Sequence, residues 1–215
     1  MRKVNFTILL CFAVLLISSI AGANVTLTNN RTSFEALGTI DFNYGFDEWG
    51  VWFNYPGDQW TSHGVTYTNN PNVILGAITG LPTDGTPMMT SSTWGPVKGT
   101  IDQSGRYTLF GFDAGYIYND DIGTAITIGT NIQNYIFNVD LVSVRNPIFY
   151  GFVTTSGEFF TTFNINPTDS FAMPGMDNVT LGDNGQHQMP EPATMFLLGS
   201  GLVVLAGFRK RFRKN

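Results

Sequence analysis

The chain has 215 residues, of which 11 are Lys or Arg and 16 are Asp or Glu, and its single cysteine is Cys11. Residues 24–189 hold only four of the basic residues and 15 of the acidic ones, a net charge of −11. This argues against nucleic acid as a partner, because phosphate binding needs clustered cations. The same stretch lacks cysteine, which excludes a disulfide, a thiolate zinc site and a cysteine nucleophile from it.

The first 23 residues have the three parts of a secretory signal peptide. Met1-Arg2-Lys3 is a basic start, Val4–Ile20 is almost wholly apolar, and Ala21 and Ala23 supply small residues at the A-x-A cleavage positions. We therefore predict a signal peptide over residues 1–23, cleaved after Ala23, and export by the Sec machinery. The alternative is an uncleaved membrane anchor.

Residues 24–182 have the composition and periodicity of short β-strands. Gly, Asn, Thr and Phe dominate, and apolar residues alternate with polar ones between turn signals such as Pro174-Gly175. Nine or ten strands with turns every 8–12 residues predict an all-β domain, an antiparallel β-sandwich of jelly-roll type. One short helix is predicted at Arg31–Leu37, capped by Asn30 or Thr32. The predicted strands are Val25–Thr28, Thr39–Phe42, Gly64–Thr68, Tyr107–Phe112, Thr124–Gly129, Tyr135–Arg145, Phe149–Thr154, Phe159–Ile165 and Asn178–Gly182.

The segment Gly45–Trp60 concentrates aromatic and acidic residues. Trp49, Trp52 and Trp60 are candidates for a carbohydrate-binding platform, because aromatic rings stack on sugars while carboxylates accept hydrogen bonds from hydroxyls. The alternative is that these rings bury themselves under a long loop as a small satellite core. A glycoside hydrolase is disfavoured because the adjacent carboxylates Asp47-Glu48 would point apart on a strand.

Two acidic pairs, Asp120-Asp121 and Asp177 with Asp183, are candidate ligands for a structural Ca²⁺, which takes six to eight oxygens. The alternative is that these aspartates serve the turns in which they lie. His63 and His187 are the only histidines, and each lacks the further partners that zinc needs. We therefore predict no metal site and no cofactor, with structural Ca²⁺ left open.

The C-terminus combines a turn-forming tripeptide, an apolar run and a basic end. After a polar spacer at 183–189 come Pro190, Glu191 and Pro192, then the apolar stretch 193–208 and the basic tail 209–214. The apolar stretch predicts a single transmembrane helix, short for a bilayer but extended by snorkelling Lys and Arg side chains. The basic tail is expected to stay in the cytoplasm, so this end holds the protein transiently at the inner membrane.

These three parts, in this order at residues 190–214, resemble the PEP-CTERM sorting signal of Gram-negative bacteria. The resemblance implies that a membrane enzyme called exosortase recognises the tail and removes it near Pro190–Pro192. It also implies delivery to the cell surface or the surrounding exopolysaccharide of a biofilm. The alternatives are an ordinary C-terminal anchor and a buried core helix, although a core helix should be amphipathic and would not end in a cationic block.

The domain is also similar to a family of secreted sandwiches that carry PEP-CTERM tails. The resemblance covers most of the domain in short pieces, supports the fold, and implies no catalytic function. These pieces are Arg31–Leu37 followed by Thr39–Phe42, then Gly64–Tyr67, Phe110–Asp113, Phe149–Phe152 and Met176–Val179.

Together these features predict an exported, exosortase-sorted protein of the cell surface or extracellular matrix with a structural or adhesive role and no enzyme activity. The alternative is a carbohydrate-binding module acting on exopolysaccharide, and a third hypothesis is a secreted hydrolase. The tryptophan-rich segment motivates the second hypothesis, and the absence of known catalytic fingerprints disfavours the third.

Overall fold

The computed structural model describes residues 24–46, 53–55, 59–68, 75–78, 88–91, 95–116, 122–143, 145–155, 157–169 and 172–185. Asn24–Gln186 form one compact unit. This unit has its own hydrophobic core, so it has what a domain needs to fold independently.

The described residues contain 14 strands and one helix. In chain order they are β1 (Val25–Thr28), α1 (Arg31–Glu35), β2 (Thr39–Tyr44), β3 (Phe53–Tyr55), β4 (Gln59–Ser62), β5 (Val65–Thr68), β6 (Leu75–Ile78), β7 (Met88–Ser91), β8 (Val97–Ile101), β9 (Leu109–Tyr116), β10 (Ile122–Thr130), β11 (Asn134–Leu141), β12 (Ile148–Thr154), β13 (Phe160–Pro167) and β14 (Pro174–Asp183).

The strands form two antiparallel sheets. The eight-stranded sheet has the order β1-β12-β9-β14-β7-β6-β3, and β2 pairs with the C-terminal half of β14. The six-stranded sheet has the order β11-β10-β13-β8-β5-β4. The predicted antiparallel β-sandwich is confirmed.

The main core lies between the two sheets, because alternate residues of facing strands point inwards. Phe110 and Phe112 of β9 meet Phe163 of β13, with the Phe110 and Phe163 ring centroids 5.3 Å apart. All three rings are buried, and each buried Phe stabilises the fold by about 1.5–3 kcal/mol. The alternation seen in the sequence is therefore the pattern that joins the two layers.

The helix α1 packs on the outer face of the eight-stranded sheet. The Asn30 side chain caps it by accepting a 2.8 Å hydrogen bond from the Ser33 N–H, as predicted. Phe34 is fully buried against Phe149, with ring centroids 5.2 Å apart. Leu109 completes this second, smaller cluster.

Two glycines make room for that cluster. Gly111 of β9 and Gly151 of β12 lie directly opposite each other in the sheet. A Cβ atom on Gly151 would lie 2.6 Å from the Phe34 ring, and one on Gly111 would lie 2.7 Å from the Phe149 ring. The pair therefore forms a slot that only hydrogen atoms can line, and it lets the two rings approach the backbone.

The last strand, β14, begins earlier than predicted, at Pro174 rather than Asn178. The predicted turn at Pro174-Gly175 is wrong, because β14 begins at Pro174 and Gly175 pairs with both β7 and β9. The irregularity lies later, at Asn178, where φ is +47° and the register with β9 shifts. Strand β11 is shorter than predicted and ends at Leu141 rather than Arg145.

Helix α1 has five residues, and no helix in the described ranges is long and apolar enough to cross a membrane. The predicted signal peptide at 1–23 and the predicted transmembrane helix at 193–208 lie outside the described residues. Both remain predictions.

Candidate functional site

The structure describes one of the residues that the sequence singled out for sorting or glycan binding. That residue is Trp60, on β4. The others lie outside the described residues: Pro190, Glu191 and Pro192 of the sorting motif, Ala21 and Ala23 of the cleavage site, and Trp49 and Trp52.

Trp60 packs on the edge of the main core. It pairs across strands with Tyr67, and the two rings stack with centroids 5.3 Å apart and an interplanar angle of 26°. The ring of the fully buried Phe46 lies 5.9 Å away. Burial raises the pKa of the Tyr67 hydroxyl well above its usual value, and Tyr44 and Asp177 raise it further. For this tryptophan, the described contacts are packing contacts with the main core, and its part in glycan binding stays a prediction.

A more exposed aromatic pair lies at the turn between β4 and β5. His63 and Gly64 have φ values of +46° and +79°, the left-handed pair that a two-residue hairpin turn requires. The exposed His63 ring stacks on the half-buried Tyr44 ring, with centroids 4.1 Å apart. We call Tyr44, Trp60 and His63 the aromatic ledge.

At the aromatic ledge, Ser62 and His63 form a hydrogen-bonded pair. Ser62 Oγ and His63 Nδ1 are 2.6 Å apart, which is close enough for a nucleophile and a base. A working pair also needs a third group that orients the histidine, and within the described residues no carboxylate bonds His63. The Ser62–His63 bond therefore serves the hairpin turn.

The candidate calcium ligands Asp177 and Asp183 do not share a site. They lie six residues apart on β14, which is about 20 Å along an extended strand. Asp183 accepts hydrogen bonds from Thr108 Oγ1 and from the Gly185 N–H, both 3.0 Å long, so it joins the end of β14 to a distant segment as well as to its own turn. In the part of the chain that the structure describes, no three His, Cys, Asp or Glu residues are grouped to hold a metal ion. Asp120, Asp121 and His187 lie outside it.

An ion-pair network that the sequence reasoning missed joins α1 to the eight-stranded sheet. Arg31 lies 3.0 Å from the Asp113 carboxylate and 3.4 Å from that of Glu35, and it donates to Thr180 Oγ1 at 3.0 Å. Its guanidinium also lies 4.3 Å from the Phe149 ring centroid. Asn178 donates to the other Asp113 oxygen at 2.9 Å.

The network brings together four of the short pieces that carry the domain's resemblance to secreted sandwiches. Arg31, Asp113, Phe149 and Asn178 each come from a different piece. Sequence periodicity did not reveal this cluster, because its residues lie far apart in the chain and meet only in the fold. The Arg31 guanidinium makes ion pairs and hydrogen bonds with both the helix and the sheet, so this cluster holds α1 against the sheet.

The outer face of the six-stranded sheet carries mostly hydroxyl and amide side chains. One row places Thr61, Thr66, Thr100 and Thr162 side by side on four strands. The neighbouring row includes Lys98 paired with Asn164. We call this surface the polar face, and its described residues are Gln59, Thr61, Thr66, Thr68, Lys98, Thr100, Thr127, Asn134, Ile136, Asn138, Asp140, Thr162, Asn164 and Asn166.

The centre of the polar face holds an unsatisfied acceptor. The Oδ1 atom of Asn164 is buried and has no hydrogen-bond partner among the described residues. Most buried polar atoms in folded proteins are hydrogen-bonded, so such an atom calls for a donor beyond the described residues.

Comparison with known proteins identifies the C-terminal tail. Residues 190–211 match the family described as the PEP-CTERM protein-sorting motif. No curated protein matches the chain in sequence.

Among solved structures, the chain is similar to the CBM22-1 xylan-binding domain from Paenibacillus barcinonensis Xyn10C, with 12% identity over 67% of this chain and 94% of that chain and a TM-score of 0.43. It is similar to CBM29_1, a family 29 carbohydrate binding module from Piromyces equi, with 10% identity over 75% and 91% of the two chains and a TM-score of 0.31. An exo-beta-agarase shares 10% identity over 65% of this chain and 25% of that chain, with a TM-score of 0.39.

Proposed function

We propose that this chain, which carries a PEP-CTERM protein-sorting motif, is an exported surface protein whose β-sandwich has a structural, non-enzymatic role. The observation that carries the proposal is the match of residues 190–211 to that motif. The motif implies sorting to the cell surface by exosortase.

The order of events follows from the charges and apolar segments at the two ends. The signal peptide starts export through the Sec machinery, and the apolar stretch 193–208 halts the chain in the inner membrane. The basic tail at 209–214 stays in the cytoplasm. Pro190, Glu191 and Pro192 then lie at the outer side of the membrane, where exosortase acts. The sandwich is released to the surface or the matrix.

The composition of the exported part supports a structural role outside the cell. Residues 24–186 contain no cysteine, so the fold does not depend on the redox state of its surroundings. The core is built from aromatic rings that span both sheets. The net charge of residues 24–189 is −11, which favours solubility and limits nonspecific adhesion to anionic surfaces.

Replacing Pro190, Glu191 and Pro192 together with alanine is expected to abolish processing and keep the precursor in the membrane fraction. Mass spectrometry of the mature termini, combined with fractionation, measures this result. The wild-type protein should begin at Asn24 and end near Pro190–Pro192 in the surface or medium fraction. Alanine replacement of the adjacent spacer residues 186–188 is the control and should leave sorting intact. Recovery of the full chain from the cytoplasm with both termini present would contradict the proposal.

A second candidate function is binding of a neutral polysaccharide at the polar face. The rows of Thr and Asn side chains offer hydroxyl and amide groups to a ligand. The face carries one cation, Lys98, and one anion, Asp140, among its described residues. A surface with so little net charge suits a neutral ligand, while the domain's negative charge repels an anionic one.

Thr100→Val and Thr162→Val are each expected to weaken polysaccharide binding about two- to tenfold, because each removes about one hydrogen bond from an exposed hydroxyl. Affinity electrophoresis of residues 24–186 in gels with neutral or carboxylated polysaccharides measures this. Thr26→Val, an exposed strand position on the other sheet, is the control. Trp49→Ala and Trp52→Ala test the tryptophan-based proposal in the same gels. Retardation of none of the proteins would reject glycan binding, and equal retardation of all these variants would reject the polar face and the two tryptophans as its site.

A further inference from the structure

The chain enters and leaves the domain at the same end of the sandwich. The carbonyl of Asn24, the first described residue, accepts a hydrogen bond from the Thr155 N–H at 3.2 Å. The side chain of Asn184, near the last described residue, donates to the neighbouring Thr154 carbonyl at 2.9 Å. Both ends of the domain are therefore fixed beside the end of β12. We call this end of the sandwich the tether end.

Both sheets contribute to the tether end. In the eight-stranded sheet, β1, β2 and β9 begin there, and β12 and β14 finish there, as their antiparallel registers require. The six-stranded sheet is joined to it by hydrogen bonds, from the Phe160 N–H to the Tyr107 carbonyl at 2.9 Å and from the Asn131 N–H to the Phe159 carbonyl at 3.0 Å. The turn at 131–133, the loop at 102–106 and the end of α1 therefore belong to this end.

The exposed apolar side chains lie at or near the tether end. Among the described residues, three large hydrophobic side chains are exposed, Leu37 at 49%, Ile132 at 60% and Ile136 at 66%. Leu37 comes two residues before Thr39, which pairs with Asp183 at the end of β14. Ile132 lies in the 131–133 turn, and Ile136 is the third residue of β11, which begins there. Single exposed apolar residues are common on proteins, so what these side chains meet must be decided by the chain that follows the domain.

The chain that follows is short. The Gly185 N–H donates to the Asp183 carboxylate at 3.0 Å, so the chain is still held to the domain at this point. The apolar stretch begins eight residues later, at position 193. Eight residues span at most about 29 Å, and a flexible segment of that length averages about 16 Å. β14 alone, with ten residues, is about 33 Å long. Once the tail is in a bilayer, the tether end therefore stays near the lipid, while the opposite end points away.

We propose that the tether end is the surface that the domain presents to the inner membrane before the tail is removed, and that its partner is the lipid surface. This rests on the proposed function, because the tail must first be inserted. A short flexible linker gives an effective concentration of about millimolar, so even a weak contact forms. Ile132 and Leu37 contact the headgroup layer. The exposed Arg106 guanidinium, 5.8 Å from the Phe159 ring centroid, contacts lipid phosphates.

The tether rather than charge drives this contact. Residues 24–189 carry a net charge of −11, and the exposed Asp102 lies at the tether end together with Arg106. An anionic leaflet therefore does not attract the free domain. The contact should be lost when the tail is removed, which suits a protein that is released from the membrane.

Fluorescence quenching in vesicles tests which end faces the lipid. Residues 24–215 contain no cysteine, so a single introduced cysteine carries the label. Ile132→Cys places it at the tether end, and Asn146→Cys places it on an exposed turn between β11 and β12, at the opposite end. Each chain of residues 24–215 is reconstituted in phosphatidylcholine vesicles whose headgroups carry a nitroxide quencher. The Ile132 label should be quenched and the Asn146 label should keep its fluorescence. The same labels on residues 24–186, without the tail, should show no quenching.

A second measurement separates lipid contact from mere proximity. A label at Gln103, which is exposed in the 102–106 loop, reports on the tether end while its apolar residues are changed. Leu37→Asp combined with Ile132→Asp should lower its quenching about two- to tenfold, because two apolar contacts with lipid are lost. Asn146→Asp combined with Asn166→Asp adds the same charge near the opposite end and should leave the quenching unchanged. Thermal unfolding confirms that each variant is folded.

Three outcomes would overturn the proposal, and they are distinguishable. Equal quenching of the Ile132 and Asn146 labels would show that the domain has no preferred end. Equal quenching in the two double variants would show that Leu37 and Ile132 do not contact lipid. Either result leaves membrane insertion and sorting intact, provided that the chain floats with the vesicles in a density gradient. A chain that does not float contradicts insertion of the tail, and this proposal falls with it.

Discussion

Gly151→Ala is expected to lower the free energy of unfolding by about 1–3 kcal/mol, the cost of forcing extra volume into a packed cluster. The added Cβ would lie 2.6 Å from Phe34 Cδ2 and 2.7 Å from Phe149 Cε1. Both rings are buried, and Phe34 is held by the capped helix α1. Relief therefore requires α1 to move away from the sheet rather than one flexible side chain to turn.

Urea denaturation of residues 24–186 measures this change in free energy. Gly123→Ala is the matched control, because its Cβ would have Thr168 Oγ1 as its nearest neighbour at 3.4 Å, an ordinary contact. That control should change stability by less than about 0.5 kcal/mol. In a double-mutant cycle, Phe34→Ala should remove part of the penalty of Gly151→Ala. Equal effects at Gly151 and Gly123 would show that the slot does not hold the helix.

Arg31→Met is expected to lower the free energy of unfolding by about 1.5–3 kcal/mol, the range for hydrogen bonds that involve charged groups. The change leaves the partly buried Asp113 carboxylate without its 3.0 Å cationic partner. It also removes the hydrogen bond to Thr180 and the contact with the Phe149 ring. Methionine keeps much of the apolar stem, so the loss reports on the guanidinium group.

Two substitutions test that reasoning by urea denaturation. Arg31→Lys keeps the charge but loses the planar fork, so it should recover only part of the stability. Arg145→Met, at an exposed position, is the control and should change stability by less than about 0.5 kcal/mol. If Arg31→Met and Arg145→Met cost the same, the network contributes nothing to the fold.

Several strands and the helix cap could be predicted because their signals are local. Alternating residues predicted β1, β10, β12 and β13 to within a few residues of their observed bounds. Asn30 and Thr32 were the two predicted caps, and the hydrogen bond from the Ser33 N–H to the Asn30 side chain shows that Asn30 is the one. In each case the deciding interaction lies within the strand period or one helical turn.

Four short strands and the Arg31 network were not predicted from local pattern. β3, β4, β6 and β7 have three or four residues each, and unlike the equally short β1 and β5 they were not recognised in the sequence. Arg31 and Thr180 are 149 positions apart in the chain, and only the folded sheet brings them together. Pro174-Gly175 reads as a turn, yet pairing on both sides holds it in a strand.

The position of β14 links the fold to the way the protein leaves the cell. This strand is the last of the domain, yet it lies inside the eight-stranded sheet, with β9 on one side and β7 and β2 on the other. Until Pro174–Asp183 has emerged, β9 and β2 have no neighbour on that side, and the sheet is split in two. A chain that emerges N-terminus first therefore completes the eight-stranded sheet only after the end of the domain has emerged.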